Sequence, residues 1–321
     1  MACSSTKRAF LAACAAFALA AALPAAAQTK SPKVAMVMPG NITDQSWNQA
    51  GYEGIQRVKQ ELGLETAYSE KVAQPDQAEA LADYARRGYE IVIGHGGEFQ
   101  EAANRVARNH ANTIFVVHNG TKPAKNLATV DFYYSQLGYT MGFLAGKMTK
   151  TGKAGFIGAQ KIKFSTDLAS SYEAGFKAAR PDGSVLVAWT NDWDDVAKGK
   201  EAALNQINQG ADVVFPTMDN AALGSLQAAK EKGVWAFGIY YDAIKDWPDT
   251  VLQSAIMDIR SGMVEYLKLA KEGKLEGRNY KFDLTTPAAA RLGSYHAAVP
   301  AAVQQEVEAL VGKMTSGALK P

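Results

Sequence analysis

Short apolar runs alternate with amphipathic helical patterns along most of the chain, and this alternation constrains the fold before any motif is considered. Lys33–Pro39, Leu64–Tyr68, Ile91–Gly94, Thr113–Val117 and Leu127–Phe132 read as buried strands. Between them lie helical patterns, such as Trp47, Gly51, Ile55, Val58 and Leu62 at three- and four-residue spacing. The rhythm restarts after Phe132, with strands at Lys153–Ile157, Ser184–Trp189, Asp212–Pro216, Val234–Tyr240 and Val251–Ile256. Helices are expected at Gln136–Lys150, near Leu168–Arg180, at Ala197–Asn208, Ala221–Glu231 and Ile259–Glu272. Strands joined by helices form right-handed βαβ units and parallel sheets. Two such sets predict an α/β protein of two doubly wound lobes joined by hinge strands. No Pro- or Gly-rich linker separates the sets, so crossings are placed near Phe132, Met257 and Leu284. One lobe is expected to take 28–132 plus about 257–284, and the other 133–256; 285–321 is left unassigned.

The first 27 residues read as a cleaved export signal. Lys7 and Arg8 form a positive start, Ala9–Leu23 is an apolar run too short for a normal membrane span, and Ala25-Ala-Ala27 is a small-residue cleavage site. The mature chain then starts at Gln28, in the periplasm. A rival is a lipobox, Leu11-Ala-Ala-Cys14, which would anchor the chain through Cys14. Both cysteines, Cys3 and Cys14, lie in this signal, so no disulfide, Cys metal site or thiol nucleophile is expected beyond it. The chain carries 34 Lys+Arg against 32 Asp+Glu. Without Lys7 and Arg8 the balance is zero, which is poor ground for nucleic-acid binding.

Most enzyme signatures are absent. There is no P-loop, no G-x-G-x-x-G, no G-x-S-x-G and no H-E-x-x-H. His95, His110, His118 and His296 are scattered, without metal-ligand spacing. No metal and no cofactor are expected.

In doubly wound sheets, ligands sit at the carboxyl ends of strands. Those ends are rich in aromatic, amide and acid residues: Asp44, Trp47, Asn48, Phe99, His118, Trp193, Asp219, Asn220, Tyr240 and Asp242. Flat apolar walls with a few fixed hydrogen-bonding groups suit a planar heterocycle or a sugar. Each residue also has a plainer reading. Trp47 and Phe99 fit a core, the Thr190–Asp195 acids and Asp219-Asn220 fit helix caps, and His118 fits a hydrogen-bonded loop. If the segment is extended, Tyr240 and Tyr241 point opposite ways and one reaches the cleft.

Asp44-Gln-Ser-Trp-Asn-Gln-Ala-Gly-Tyr-Glu-Gly54, Tyr139-Thr-Met-Gly-Phe-Leu-Ala-Gly146, Ser171-Tyr-Glu-Ala-Gly-Phe176, Ala197-Lys-Gly-Lys-Glu-Ala202 and Gln209-Gly-Ala-Asp-Val-Val-Phe-Pro216 carry a likeness. In these segments, taken in order, the chain resembles the basic membrane protein (BMP) family of ABC-transporter substrate-binding proteins, which includes purine nucleoside receptors. The resemblance implies a type I periplasmic-binding-protein fold, a monomer, and capture of a small ligand for a membrane permease. It also implies ligand contacts at Asp44 and Asn48 and a stacking role for Trp193. The chain departs from that pattern at Gly238-Ile-Tyr-Tyr-Asp-Ala243, where Tyr240 replaces an acid that grips ribose, and at Met257, where a basic residue is usual. Both departures point to a free purine-type nucleobase rather than a nucleoside. A sugar or autoinducer receptor of the same fold stays open. So does an exported nucleoside hydrolase using His95, Asp44 or Asp219 as base, or a structural surface protein.

Overall fold

The computed structural model describes residues 31–44 and 46–321. The expected signal, with the rival lipid anchor at Cys14, lies outside the described residues. Among the described residues, twelve strands and nine α-helices follow in chain order. They begin with β1 (Val34–Val37), α1 (Trp47–Leu62), β2 (Thr66–Ser69), α2 (Gln77–Arg86), β3 (Ile91–Gly94), α3 (Gln100–Ala107), β4 (Ile114–His118) and β5 (Leu127–Phe132). Next come α4 (Tyr134–Met148), β6 (Lys153–Gly158), α5 (Lys163–Ala179), β7 (Ser184–Trp189), α6 (Val196–Asn208), β8 (Val213–Thr217), α7 (Ala221–Lys232), β9 (Trp235–Ile239) and β10 (Val251–Met257). The last are α8 (Ile259–Lys271), β11 (Asn279–Phe282), β12 (Ala290–Leu292) and α9 (Ala301–Thr315).

The strands form two six-stranded sheets, ordered β11-β5-β4-β3-β1-β2 and β12-β10-β9-β8-β6-β7. Apart from the short edge strands β11 and β12, each half repeats one winding: the second strand, the first, then the third to fifth. All pairings are parallel except β10 with β12. Strands covered on both faces read as unbroken apolar runs, and β1, β3, β8 and β10 are buried along their whole length. The chain passes between the sheets three times: between β5 and β6, between β10 and β11, and between β11 and β12.

The glycines of the Tyr139–Gly146 and Ser171–Phe176 segments are there for close approach. A Cβ at Gly142 would run into the Tyr172 carbonyl, and one at Gly175 into that of Tyr139. Helices α4 and α5 therefore meet backbone to backbone. Downstream of α8, short elements that periodicity did not reveal complete the molecule. β12 edges the second sheet, and α9 packs on α4 with Met314 buried.

Candidate functional site

The winding of each sheet reverses direction beside its first strand, so the loops leaving β1, β3, β6 and β8 open into a common crevice. Two cavities lie there, of about 790 and 380 Å³. Trp47, Asp219 and Tyr240 line both and form the partition between them.

Trp47 is the first residue of α1. One face of its indole lies flat on the His95 ring, with centroids 4.4 Å apart and planes 9° apart, and its Nε1 donates to the His95 carbonyl at 3.3 Å. Asn48 is buried beside it; its Oδ1 accepts from the Gly40 amide at 3.0 Å and its Nδ2 donates to Asp44 at 2.8 Å. Asp44 itself lines neither cavity. Its carboxylate accepts from the Ser46, Asn48 and Gln49 amides, each at 2.9 Å, which makes it the cap of α1.

Across the larger cavity stands an aromatic ladder. Tyr134 stacks on Phe164 at 5.0 Å and Phe164 on Trp193 at 5.9 Å, with planes within 30° and 22°. Phe164 and Trp193 line the cavity. Neighbouring polar groups are already held in place. The Tyr134 hydroxyl donates to Asn119 Oδ1 at 2.7 Å, and Asn119 takes a left-handed φ of 57°. Gln100 Oε1 accepts from the amides of Thr121 and Lys122, which fixes the next turn.

Three carboxyl groups lining the cleft, Asp219, Asp131 and Glu98, are raised above the ordinary range by burial. Burial pushes Asp219 up to about 8, the negative charges of Asp194, Asp44 and Glu98 add to that, and a hydrogen bond with Ser46 opposes it. Burial likewise raises Asp131 to about 6, against the pull of the Phe132 amide and Lys281. A protonated Asp219 is a hydrogen-bond donor at neutral pH. In contrast, Asp192 is held down to about 2 by Lys198 and by the amides of Asp194 and Asp195. With Asp195 accepting from the Ala197 and Lys198 amides, the acids around Trp193 mainly organise their own loop and the start of α6.

Other residues nominated from sequence lie elsewhere. Phe99 is fully buried under α3 against Gly94, and lines neither cavity. His118 is fully buried behind Trp47. Asp242 accepts from the Ser294 hydroxyl at 2.7 Å and ties the loop after β9 to the segment after β12. Asn220 lines the smaller cavity and donates to Asp194 at 3.2 Å. Tyr240 is not extended: its φ is 69°, so the chain turns there and both Tyr240 and Tyr241 reach the smaller cavity. Phe164 and Asp131 were not singled out from sequence. Among the described residues, no cluster of three or more His, Cys, Asp or Glu is placed to hold a metal ion.

Comparison with known proteins bears on what such a crevice holds. The Bmp family model, described as ABC transporter substrate-binding protein PnrA-like, matches residues 31–289. The Bacillus subtilis transcriptional activator protein med is 29% identical over 283 residues, 88% of each chain. A purine-binding protein of Brucella abortus is 28% identical over 250 residues, 77% of this chain and 71% of its own. An ABC transporter nucleoside-binding protein of Lactococcus lactis is 28% identical over 268 residues, 76% of each. Among solved structures, an ABC transporter solute-binding protein from Conexibacter woesei superposes with a TM-score of 0.73 at 26% identity, covering 91% of this chain and 98% of that one. One from Aeropyrum pernix superposes at 0.80 and 19% identity, covering 90% and 92%, and shares the fold.

Proposed function

Because this chain belongs to the Bmp family of PnrA-like ABC transporter substrate-binding proteins, we propose that it captures a purine-type nucleobase outside the cytoplasm and presents it to a membrane permease. The observation that carries this reading is the larger cavity. Trp47 and Tyr240 bound it on one side and the Phe164–Trp193 ladder on another, and its 790 Å³ lies in the range of small-ligand sites. Aromatic stacking on a base is worth about 1–3 kcal/mol per base. Asn48, Asn119 and Asp131 add directional polar groups at the cavity wall. Asp219, neutral at pH 7, would donate to a ring nitrogen that a charged carboxylate would repel.

The lobes of this fold are joined at the passages near residues 133, 258 and 283–289. A ligand touching Trp47 on one sheet's loops and Trp193 or Asp219 on the other's favours the closed arrangement by its differential affinity alone. Such an exported receptor would be made with the leader expected at 1–27. Among the described residues, no helix is long and apolar enough to cross a membrane.

The test is thermal unfolding of protein stripped of carried-over ligand by unfolding and refolding, then titrated with hypoxanthine, adenine, inosine, uracil and arabinose. A ligand at a hundred times its dissociation constant adds about 2.7 kcal/mol. A shift with purine bases and none with inosine is expected. A shift with inosine overturns the preference for a free base, and a shift with arabinose alone overturns the ligand class.

A further inference from the structure

Behind the Trp47 wall runs a buried chain of polar groups that the capture reading leaves unused. The Trp47 carbonyl lies 2.8 Å from His95 Nε2. His95 Nδ1 lies 2.6 Å from His118 Nδ1, and His118 Nε2 lies 2.8 Å from the Tyr266 hydroxyl. Both imidazoles and Tyr266 are buried to 1% exposure or less. The rings are brought together by the sheet: β3 and β4 pair in parallel with Gly94 opposite Val117, so the next residues, His95 and His118, stand side by side.

The chemistry fixes the direction of this chain. A carbonyl oxygen only accepts, so His95 Nε2 carries hydrogen. In a neutral ring His95 Nδ1 is then an acceptor, so His118 Nδ1 carries hydrogen. His118 Nε2 is therefore an acceptor, and the Tyr266 hydroxyl must donate to it. Among the described residues the hydrogen-bond partners of the two rings are the Trp47 carbonyl, each other and Tyr266. Burial outweighs the pull of the Trp47 carbonyl and of the Asp44 charge and holds His95 at about 4, and burial and the neighbouring His95 hold His118 well below its ordinary value. Gly51 also packs tightly on the His95 ring, since a Cβ there would strike it. The Trp47 indole lies flat on this held ring.

We infer that His95, His118 and Tyr266 are positioning residues for ligand capture, a one-directional hydrogen-bond chain from α8 to the start of α1 that holds the Trp47 indole flat at the cleft. The ligand part of this inference rests on the capture reading above; the chain itself does not.

The experiment has two arms. Long-range proton–nitrogen correlation spectra of the ligand-free protein at pH 7 report each histidine's tautomer. The chain requires hydrogen on Nε2 of His95 and on Nδ1 of His118, the less common tautomer; hydrogen on Nε2 of His118, or a protonated ring, overturns it. In the second arm Tyr266→Phe removes only the terminal donor. Its expected effects are a shift or broadening of the Trp47 indole N–H signal, assigned by its loss in Trp47→Phe, and about a tenfold weaker hypoxanthine affinity. Tyr84→Phe deletes a hydroxyl bonded to Ser69 on the far side of the first sheet, and should change neither. If Tyr266→Phe lowers the melting temperature while the indole signal and affinity stay as in wild type, the positioning role is wrong. If wild-type protein binds no purine, the capture reading falls and the tautomer and indole signals alone decide the chain.

Discussion

Trp47, at the start of α1, and Tyr240, just after β9, meet with ring centroids 6.4 Å apart and planes 46° apart. Together with Asp219 they form the partition between the two cavities of the crevice. The two rings differ in how they are held. Trp47 is backed by the His95 ring, whereas Tyr240 owes its direction to a left-handed backbone turn after β9.

That difference gives a pair of substitutions with separable effects. Asn tolerates the left-handed region, so Tyr240→Asn is expected to fold with a melting temperature within a few degrees of wild type. Its hypoxanthine affinity should fall by about tenfold or more, the loss of one stacking face. Trp47→Ala should weaken binding at least as much and also destabilise, because it bares the buried His95. Calorimetric titration and melting curves of both variants check this. Unchanged binding in Tyr240→Asn would place the ligand away from the partition.

Asp44 shows how far the sequence can be read. It stands in one of the five segments that carry the family resemblance, which implies a ligand contact there, while an acid at the turn between a strand and a helix also reads as a cap. The carboxylate takes three backbone amides and the Asn48 side chain, so here it caps α1. Asp44→Ala should therefore cost about 1 kcal/mol of stability and weaken binding only through the looser start of α1. Denaturant unfolding with and without ligand separates the two. A loss confined to affinity would make Asp44 a direct contact.

The alternation of apolar runs and helical patterns made the parallel sheets legible, because the inner strands β1, β3, β8 and β10 are buried along their whole length and leave unbroken apolar runs. The strands β11 and β12 were not legible, being three or four residues long at sheet edges. Phe164 was missed because the helical period was read from near Leu168, while α5 begins at Lys163 and carries Phe164 in its first turn. The His95–His118 contact was within reach. Both residues stood at the ends of expected neighbouring strands, and parallel pairing puts such residues together. What the residue pattern does not encode is which of several aromatic residues at strand ends faces the crevice: Phe99 turns under its own helix, while Tyr240 turns out at a positive φ.

Asp219 gives a pH dependence with a definite sign. Its folded value of about 8 lies above the ordinary 3.8 of an unfolded aspartate. Between those values the folded state holds the proton that the unfolded state has lost, so this group lowers stability as pH rises from 3.8 through 8. Asp219→Asn is expected to stabilise the ligand-free protein at pH 8, by about 2 kcal/mol once partial solvent access is discounted. The gain should vanish near pH 4. Since Asn keeps a donor, hypoxanthine affinity at pH 7 should change less than threefold, whereas the wild type alone should lose affinity as pH rises past 8. Equal losses in both proteins at alkaline pH would assign that titration to another group.

His95 shifts in the opposite sense. Burial holds its folded value at about 4, below the 6.5 of an ordinary imidazole. Between pH 6.5 and 4 the unfolded chain takes up a proton that the folded site refuses. The stability His95 confers is therefore complete above 6.5 and is lost as pH falls, by about 3 kcal/mol at pH 4. Asp131, raised to about 6, works against this trend over part of the same interval, so the measurement must be a difference. The unfolding free energy of wild type minus that of His95→Gln, taken by denaturant at pH 7, 5.5 and 4.5, should shrink steadily as pH falls. A glutamine cannot acquire charge there, so it cancels every other titrating group. A difference that stays flat from pH 7 to 4.5 would mean that His95 binds its proton in the fold as readily as in the unfolded chain. Below pH 6.5 His95 would then be charged and would donate from Nδ1 to His118, which would turn round the His95–His118 and His118–Tyr266 bonds while Nε2 still donates to the Trp47 carbonyl.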